Sequence, residues 1–99
     1  MDFRVVWSPE APDDLDAVAE YVARDSAFYA RVVVDKILET ARGLRQFPER
    51  GRVVPELADD CIREIFAYSY RIIYQATNEA IVILALVHGK RLLESIERF

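Results

Sequence analysis

The chain has 99 residues, 53% of them hydrophobic and 30% charged, with a formal net charge of −4. That size and composition describe one compact domain over residues 1–99, too apolar for a disordered chain and too short for two cores. The acidic balance excludes a protein that coats nucleic acid by bulk electrostatics, and a single cysteine, Cys61, and a single histidine, His88, exclude an internal disulfide and a Cys/His zinc centre.

No apolar run approaches the roughly 20 residues that span a bilayer, so no membrane partner is expected. The opening Met1-Asp2-Phe3-Arg4 lacks the basic-then-apolar order of a signal peptide, which predicts a cytoplasmic protein. Charge is unevenly spread: residues 1–60 hold thirteen acids against eight bases, whereas residues 61–99 hold four against five. Within residues 42–52, Arg42, Arg45, Arg50 and Arg52 face only Glu49, a basic stretch in an acidic chain.

The first element is the β-branched and aromatic run at residues 3–7, a strand that stops at Ser8-Pro9. Ser8 is the expected N-cap of a helix over residues 9–24, with Pro9 at its first position and Glu10, Asp13 and Asp14 near its positive pole. Leu15, Val18, Ala19 and Val22 give it one apolar face. Asp25 or Ser26 caps a second helix, in which Ala30, Val33, Val34, Ile37, Leu38, Ala41 and Leu44 keep the same spacing until Pro48. So short a connection implies an antiparallel helical hairpin.

Residues 48–60, with two prolines and a glycine, read as a loop. Three strand-like runs follow at residues 61–67, 70–76 and 81–87, split by Tyr68-Ser69 and Thr77-Asn78-Glu79. In the middle run Tyr70, Ile72 and Tyr74 share one face, and Arg71, Ile73 and Gln75 the other. The third has no polar face and should be an interior strand. Residues 90–99 can form a short terminal helix with Leu92, Leu93 and Ile96 inward. The predicted fold is α+β: β-α-α-β-β-β, a helical hairpin on a mostly antiparallel four-stranded sheet.

At this point particular residues carry a likeness. Trp7-Ser8-Pro9 with Ala11 and Asp14-Leu15, Tyr21-Val22-Ala23, Leu44 with Phe47-Pro48, Gly51-Arg52 with Pro55-Glu56-Leu57, Arg63-Glu64-Ile65, Tyr70-Arg71-Ile72-Ile73-Tyr74 and Val87-His88-Gly89-Lys90-Arg91 run through nearly the whole chain. In this order the chain resembles the RelE/ParE superfamily of toxins from bacterial type II toxin–antitoxin pairs, and Pro48…Gly51-Arg52, Pro55-Glu56 and His88-Gly89-Lys90-Arg91 resemble its ParE branch. The resemblance implies a toxin that inhibits DNA gyrase, is neutralised by a cognate antitoxin in a hetero-oligomer, and takes part in plasmid stabilisation. It implies no sequence-specific DNA binding by the toxin alone and no cofactor.

Two other readings follow from the same likeness: a RelE-like, ribosome-dependent messenger ribonuclease, and an inactive relative that only binds its antitoxin. RNA cleavage at the 2′-OH needs a base, an acid and fixed positive charge for the phosphorane. Glu56 or Glu49, His88 and Arg71 are the candidates, the last two matching positions used by some ribonuclease relatives. Gly89 stands where those relatives place an aromatic, and their dense lysines are missing. Under the gyrase reading there is no catalytic residue, and the partner-binding candidates are Arg42, Arg45, Arg50, Arg52, Arg71, Lys90 and Arg91. For Arg71 the sequence leaves two placements open: lining the open face of the sheet, or pairing with an acid such as Glu64 across the hairpin. His88, at a strand end, serves equally as a plain hydrogen-bonding residue.

Overall fold

The computed structural model describes residues 3–90. The element order is β1 (Arg4–Trp7), α1 (Ala11–Ala23), α2 (Ala27–Gly43), β2 (Arg52–Val53), β3 (Ile62–Ala67), β4 (Tyr70–Ala76) and β5 (Ala80–His88). The expected helix beyond Lys90, and Arg91 with it, lies outside the described residues. The strands form one sheet in the order β1-β5-β4-β3-β2, with β1 parallel to β5 and the other pairings antiparallel.

Two expectations need correction. The sheet has five strands, not four: Arg52 and Val53, inside the expected loop, pair with Glu64 and Arg63 at the edge of β3. Ser8 does not cap α1, whose first residue is Ala11 and whose N-cap, Glu10, makes no side-chain capping bond. Instead the Ser8 N–H donates to the Ile83 carbonyl (2.9 Å) and its hydroxyl to the Leu84 carbonyl (3.1 Å). Strand pairing to β5 therefore outcompetes capping, and the chain needs the Ser8–Glu10 turn before it can wind. At α2 the expectation holds: Ser26 is extended (φ −160°, ψ 112°) and its hydroxyl accepts the Tyr29 N–H at 3.0 Å.

The sheet is covered on both faces. Val18, Val33, Ile37, Ala41 and Leu44 of the hairpin region pack on Ile72, Tyr74, Ile81, Ile83 and Leu86. On the opposite face Val54 and Leu57, carried there by the loop after β2, cover Ile73, Ala85 and Val87. The crossing is pinned by Tyr74, whose hydroxyl donates to the Pro48 carbonyl (2.8 Å) and accepts the Gly51 N–H (2.9 Å). A β-carbon on Gly51 would lie 2.4 Å from the Glu64 carbonyl oxygen, so only glycine permits this approach.

Strand β5 contains one extra residue. Ile73 faces Ala85 and Tyr74 faces Ile83, leaving Leu84 unpaired in a β-bulge. The bulge reverses the phase of the strand: Ile81 and Ile83 face the helices before it, and Leu86 faces them after it. Because β1 ends at Trp7, the outer edge of β5 beyond the bulge has no strand neighbour among the described residues, and the Asp14 carboxylate of α1 accepts the Leu86 N–H there (3.0 Å).

Candidate functional site

The polar residues nominated from sequence fall into three separate places. The first is on the loop-covered face. Arg71 on β4 donates from Nε to Glu64 (2.7 Å) and from its two terminal nitrogens to both oxygens of Glu56 (2.9 and 2.8 Å). Glu64 also pairs with Arg52. The Arg71 side chain is 5% exposed, Glu64 fully buried and Glu56 17% exposed. Hydrogen bonding to Glu56, followed by that to Glu64, holds the Arg71 pKa above its ordinary value despite burial. Of the two placements left open by sequence, the acid pairing is the one observed, and it includes Glu56 as well as Glu64. Arg63 extends the cluster by donating to the Gly51 carbonyl at 2.8 Å. The arrangement fastens the loop across the sheet and presents little free charge to solvent.

His88 is the second place. It pairs with Tyr70 across β4 and β5, its ring meets the Tyr70 ring edge-on at 5.7 Å, and Nδ1 accepts the Lys90 N–H at 3.2 Å. Beyond the Leu84 bulge the even-numbered residues face the helices, so His88 shares the side of Tyr70 and Leu86, while Val87 shares that of Arg71. Without the bulge, His88 would point to the face of Arg71 and Glu56. The geometry therefore puts the base, acid and cation considered for RNA cleavage on two faces of one sheet. Gly89 lies against Phe66 on the Arg71 side: a β-carbon there would meet the Phe66 ring at 3.0 Å and the Ser69 carbonyl at 3.1 Å.

The third place is the basic stretch between α2 and β2. Arg42, Arg45, Arg50 and Arg52 are all exposed, as is Glu49. The Arg50 guanidinium lies over the ring of Phe47 at 5.1 Å, and that ring is 55% exposed. The stretch thus combines three outward arginines with an exposed aromatic, whereas Arg52 is tied inward to Glu64. Lys90, also exposed, follows Gly89, whose N–H donates to the Ser69 carbonyl at 2.7 Å. Among the described residues no group of three or more His, Cys, Asp or Glu could hold a metal ion, and no helix is long and apolar enough to cross a membrane.

Sequence reasoning missed the Glu56–Arg71 pairing, since the partners lie fifteen positions apart across a loop that follows no periodicity. It also missed Tyr74 as the loop anchor. A tyrosine on the hydrophobic face of a strand gives no sign that its hydroxyl has a buried backbone partner.

Residues 5–93 match the family model of the ParE toxin of type II toxin–antitoxin systems, parDE. The chain belongs to this family. A curated relative of this ParE-family chain, Toxin RelE2 of Caulobacter vibrioides, is 31% identical over 90 residues, covering 90% of this chain and 98% of its own. The fold is shared with the chromosomal ParDE toxin–antitoxin system from P. aeruginosa, at TM-score 0.74 and 22% identity over 89% of this chain and 97% of that one. It is likewise shared with the RelBE2 toxin–antitoxin complex from Mycobacterium tuberculosis, at TM-score 0.66 and 21% identity over 89% and 92%. The ParE-family toxin is thus an α+β domain with two helices against a five-stranded, mostly antiparallel sheet.

Proposed function

We propose that this toxin acts by binding rather than by cutting RNA, that its target is DNA gyrase, and that a cognate antitoxin holds it inactive in the cytoplasm. The observation that carries the reading is the separation of Arg71 and Glu56 from His88 by the thickness of the sheet. Phosphodiester cleavage requires proton acceptor, donor and phosphate-binding cation around one reacting atom. Here the buried Arg71 guanidinium is occupied by two carboxylates, Glu64 and Glu56. What remains outward is suited to contact: Arg42, Arg45 and Arg50 beside Phe47, and Lys90 at the strand end.

The antitoxin part of the proposal draws on the relatives, two of which are toxin–antitoxin assemblies by name. It draws too on surface: among the described residues β1 is the edge strand of the sheet, and Tyr21, Phe28 and Tyr29 of the hairpin are exposed. A segment that folds on binding can add a strand to the first and lay an apolar helix face on the second.

The test is a pair of assays on the same folded, antitoxin-free protein. Gyrase supercoiling should stop, with cleaved DNA trapped, while ribosome-bound messenger stays intact. Unaffected supercoiling together with messenger cleavage abolished by His88→Ala would replace this reading with the ribonuclease one. Inactivity in both assays, with tight antitoxin binding, would replace it with that of an inactive relative.

A further inference from the structure

At one end of the molecule, the turn of the helical hairpin meets the β3–β4 turn and the end of β5. Two adjoining clefts open there, of about 390 and 240 Å³, sharing Tyr21, Tyr70 and His88 as a common wall. Tyr29, Tyr68 and Asp25 complete the smaller cleft, and Asp14 lines the larger. Four of the five tyrosines of the chain are gathered at this place. Three of them stay open to solvent: Tyr21 is 63%, Tyr29 48% and Tyr68 52% exposed. Packing alone does not account for aromatic rings left that open around a concavity.

Tyr68 adds an independent sign. Its φ of 53° puts it in the left-handed region, at a two-residue turn position where glycine or asparagine is the ordinary choice. The strained backbone holds its ring 6.4 Å from that of Tyr29, forming one side of the cleft. Strain retained at a concave aromatic surface points to use.

The chemistry of the lining selects the ligand. Tyrosine faces carry negative electrostatic potential and attract a cation placed over them. Both ionised side chains in the lining are carboxylates, Asp25 and Asp14, and no lysine or arginine lines either cleft. A nucleotide could stack its base on the rings, but its phosphate would meet Asp25 in the smaller cleft or Asp14 in the larger. A planar guanidinium fits both features, since it stacks on aromatic faces and is only weakly hydrated. The chain itself provides an instance next to the site, where the Arg24 guanidinium lies 5.8 Å from the Tyr21 ring centroid.

We infer that this aromatic cleft is the docking site for one arginine side chain of a protein partner, stacked on the tyrosines of the smaller cleft and neutralised by Asp25. The inference does not depend on gyrase being the target, and its test uses no target.

Full-length protein with labelled tyrosine and histidine rings is titrated with N-acetyl-arginine amide and followed by nuclear magnetic resonance. Saturable millimolar binding should move the ring signals of Tyr21, Tyr29, Tyr68, Tyr70 and His88 but not those of Tyr74. Asp25→Asn should weaken it about fivefold and Tyr21→Leu about tenfold. Tyr29→Leu serves as a second wall variant, and an unchanged Tyr74 signal certifies that each variant is folded. The proposal is overturned by the absence of saturation at tens of millimolar. It is equally overturned if N-acetyl-norleucine amide binds as well, which would make the cleft merely apolar, or if adenosine monophosphate binds more tightly, which would make it a base-stacking site.

Discussion

Arg71 and Glu56 face each other through two nearly parallel hydrogen bonds of 2.9 and 2.8 Å, linking the centre of the sheet to a loop that has crossed over its edge. The fork-to-fork geometry is the strong form of the arginine–carboxylate pair. Here it secures a loop that brings only Val54 and Leu57 as apolar cover. The residue that sequence offered as a phosphate clamp is thus part of the framework.

Removal of Arg71 should therefore unfold more than it inactivates. Arg71→Ala leaves the fully buried Glu64 with Arg52 alone and takes the bidentate partner from Glu56. Breaking a buried ion pair from one side costs about 3–5 kcal/mol, a large share of the ~5–15 kcal/mol available to a domain. Urea denaturation should show the midpoint falling sharply, with antitoxin co-purification lost in parallel. A stable Arg71→Ala protein lacking only toxicity would restore Arg71 to the functional surface.

Tyr74 should make the fold sensitive to alkali. Burial raises its phenol pKa above the ordinary tyrosine value of about 10, outweighing the hydrogen bond from Gly51, which acts in the opposite direction. The neutral phenol is thus the form favoured by the native state. Stability is complete below pH 10 and is lost as pH rises from there through the folded-state pKa, because the unfolded chain releases its proton first. Tyr74→Phe should flatten this alkaline decline, leaving the part contributed by Tyr70, which burial also shifts upward. At neutral pH the same substitution should cost about 1–3 kcal/mol, since it orphans the Gly51 N–H and the Pro48 carbonyl. Thermal melts of both proteins across pH 7–11 test both statements.

His88→Ala should leave both the fold and the toxicity intact. The ring is exposed and contributes one edge contact to Tyr70 and one acceptor to a backbone N–H. A surface change of this kind shifts stability by roughly 0.5 kcal/mol. Growth after induction, compared with wild type, is the measurement, and survival of cells expressing a folded His88→Ala protein would contradict it.

Much of the fold was legible because two periods dominate the chain. The apolar spacing in α2 fixes its face, and Ser26 is the cap expected there. What escaped the sequence has physical causes. Strand β2 is two exposed residues long, so no alternation can develop; its place is set by the close contact of Gly51 with β3. The β5 run is apolar at every position from Ile81 to Val87, and a run without polar residues carries no phase. The extra residue at Leu84 was therefore invisible, and with it the face on which His88 lies. Ser8 was misplaced because its side chain serves the carbonyl of that same bulge.

The final prediction concerns where positive charge matters. Screening confines each charge to about 8–10 Å at physiological salt, so an acidic chain can still present a basic contact if the cations are local. Two of the candidate groups lend themselves to this test: Lys90, with Arg91 next to it in sequence, and the exposed Arg42, Arg45 and Arg50. Arg52 is a poor probe, because reversing it would set a carboxylate against buried Glu64 and confound binding with folding. Lys90→Glu combined with Arg91→Glu should abolish toxicity while antitoxin binding persists, as Lys90 is exposed at the end of β5. Ile83→Asp, placing a charge in a position with no solvent exposure, should abolish both by unfolding the domain. Induced growth and co-purification with the antitoxin read the two properties separately. Full toxicity in the double reversal would move the contact to the arginines beside Phe47, where Arg45→Glu with Arg50→Glu is the corresponding experiment.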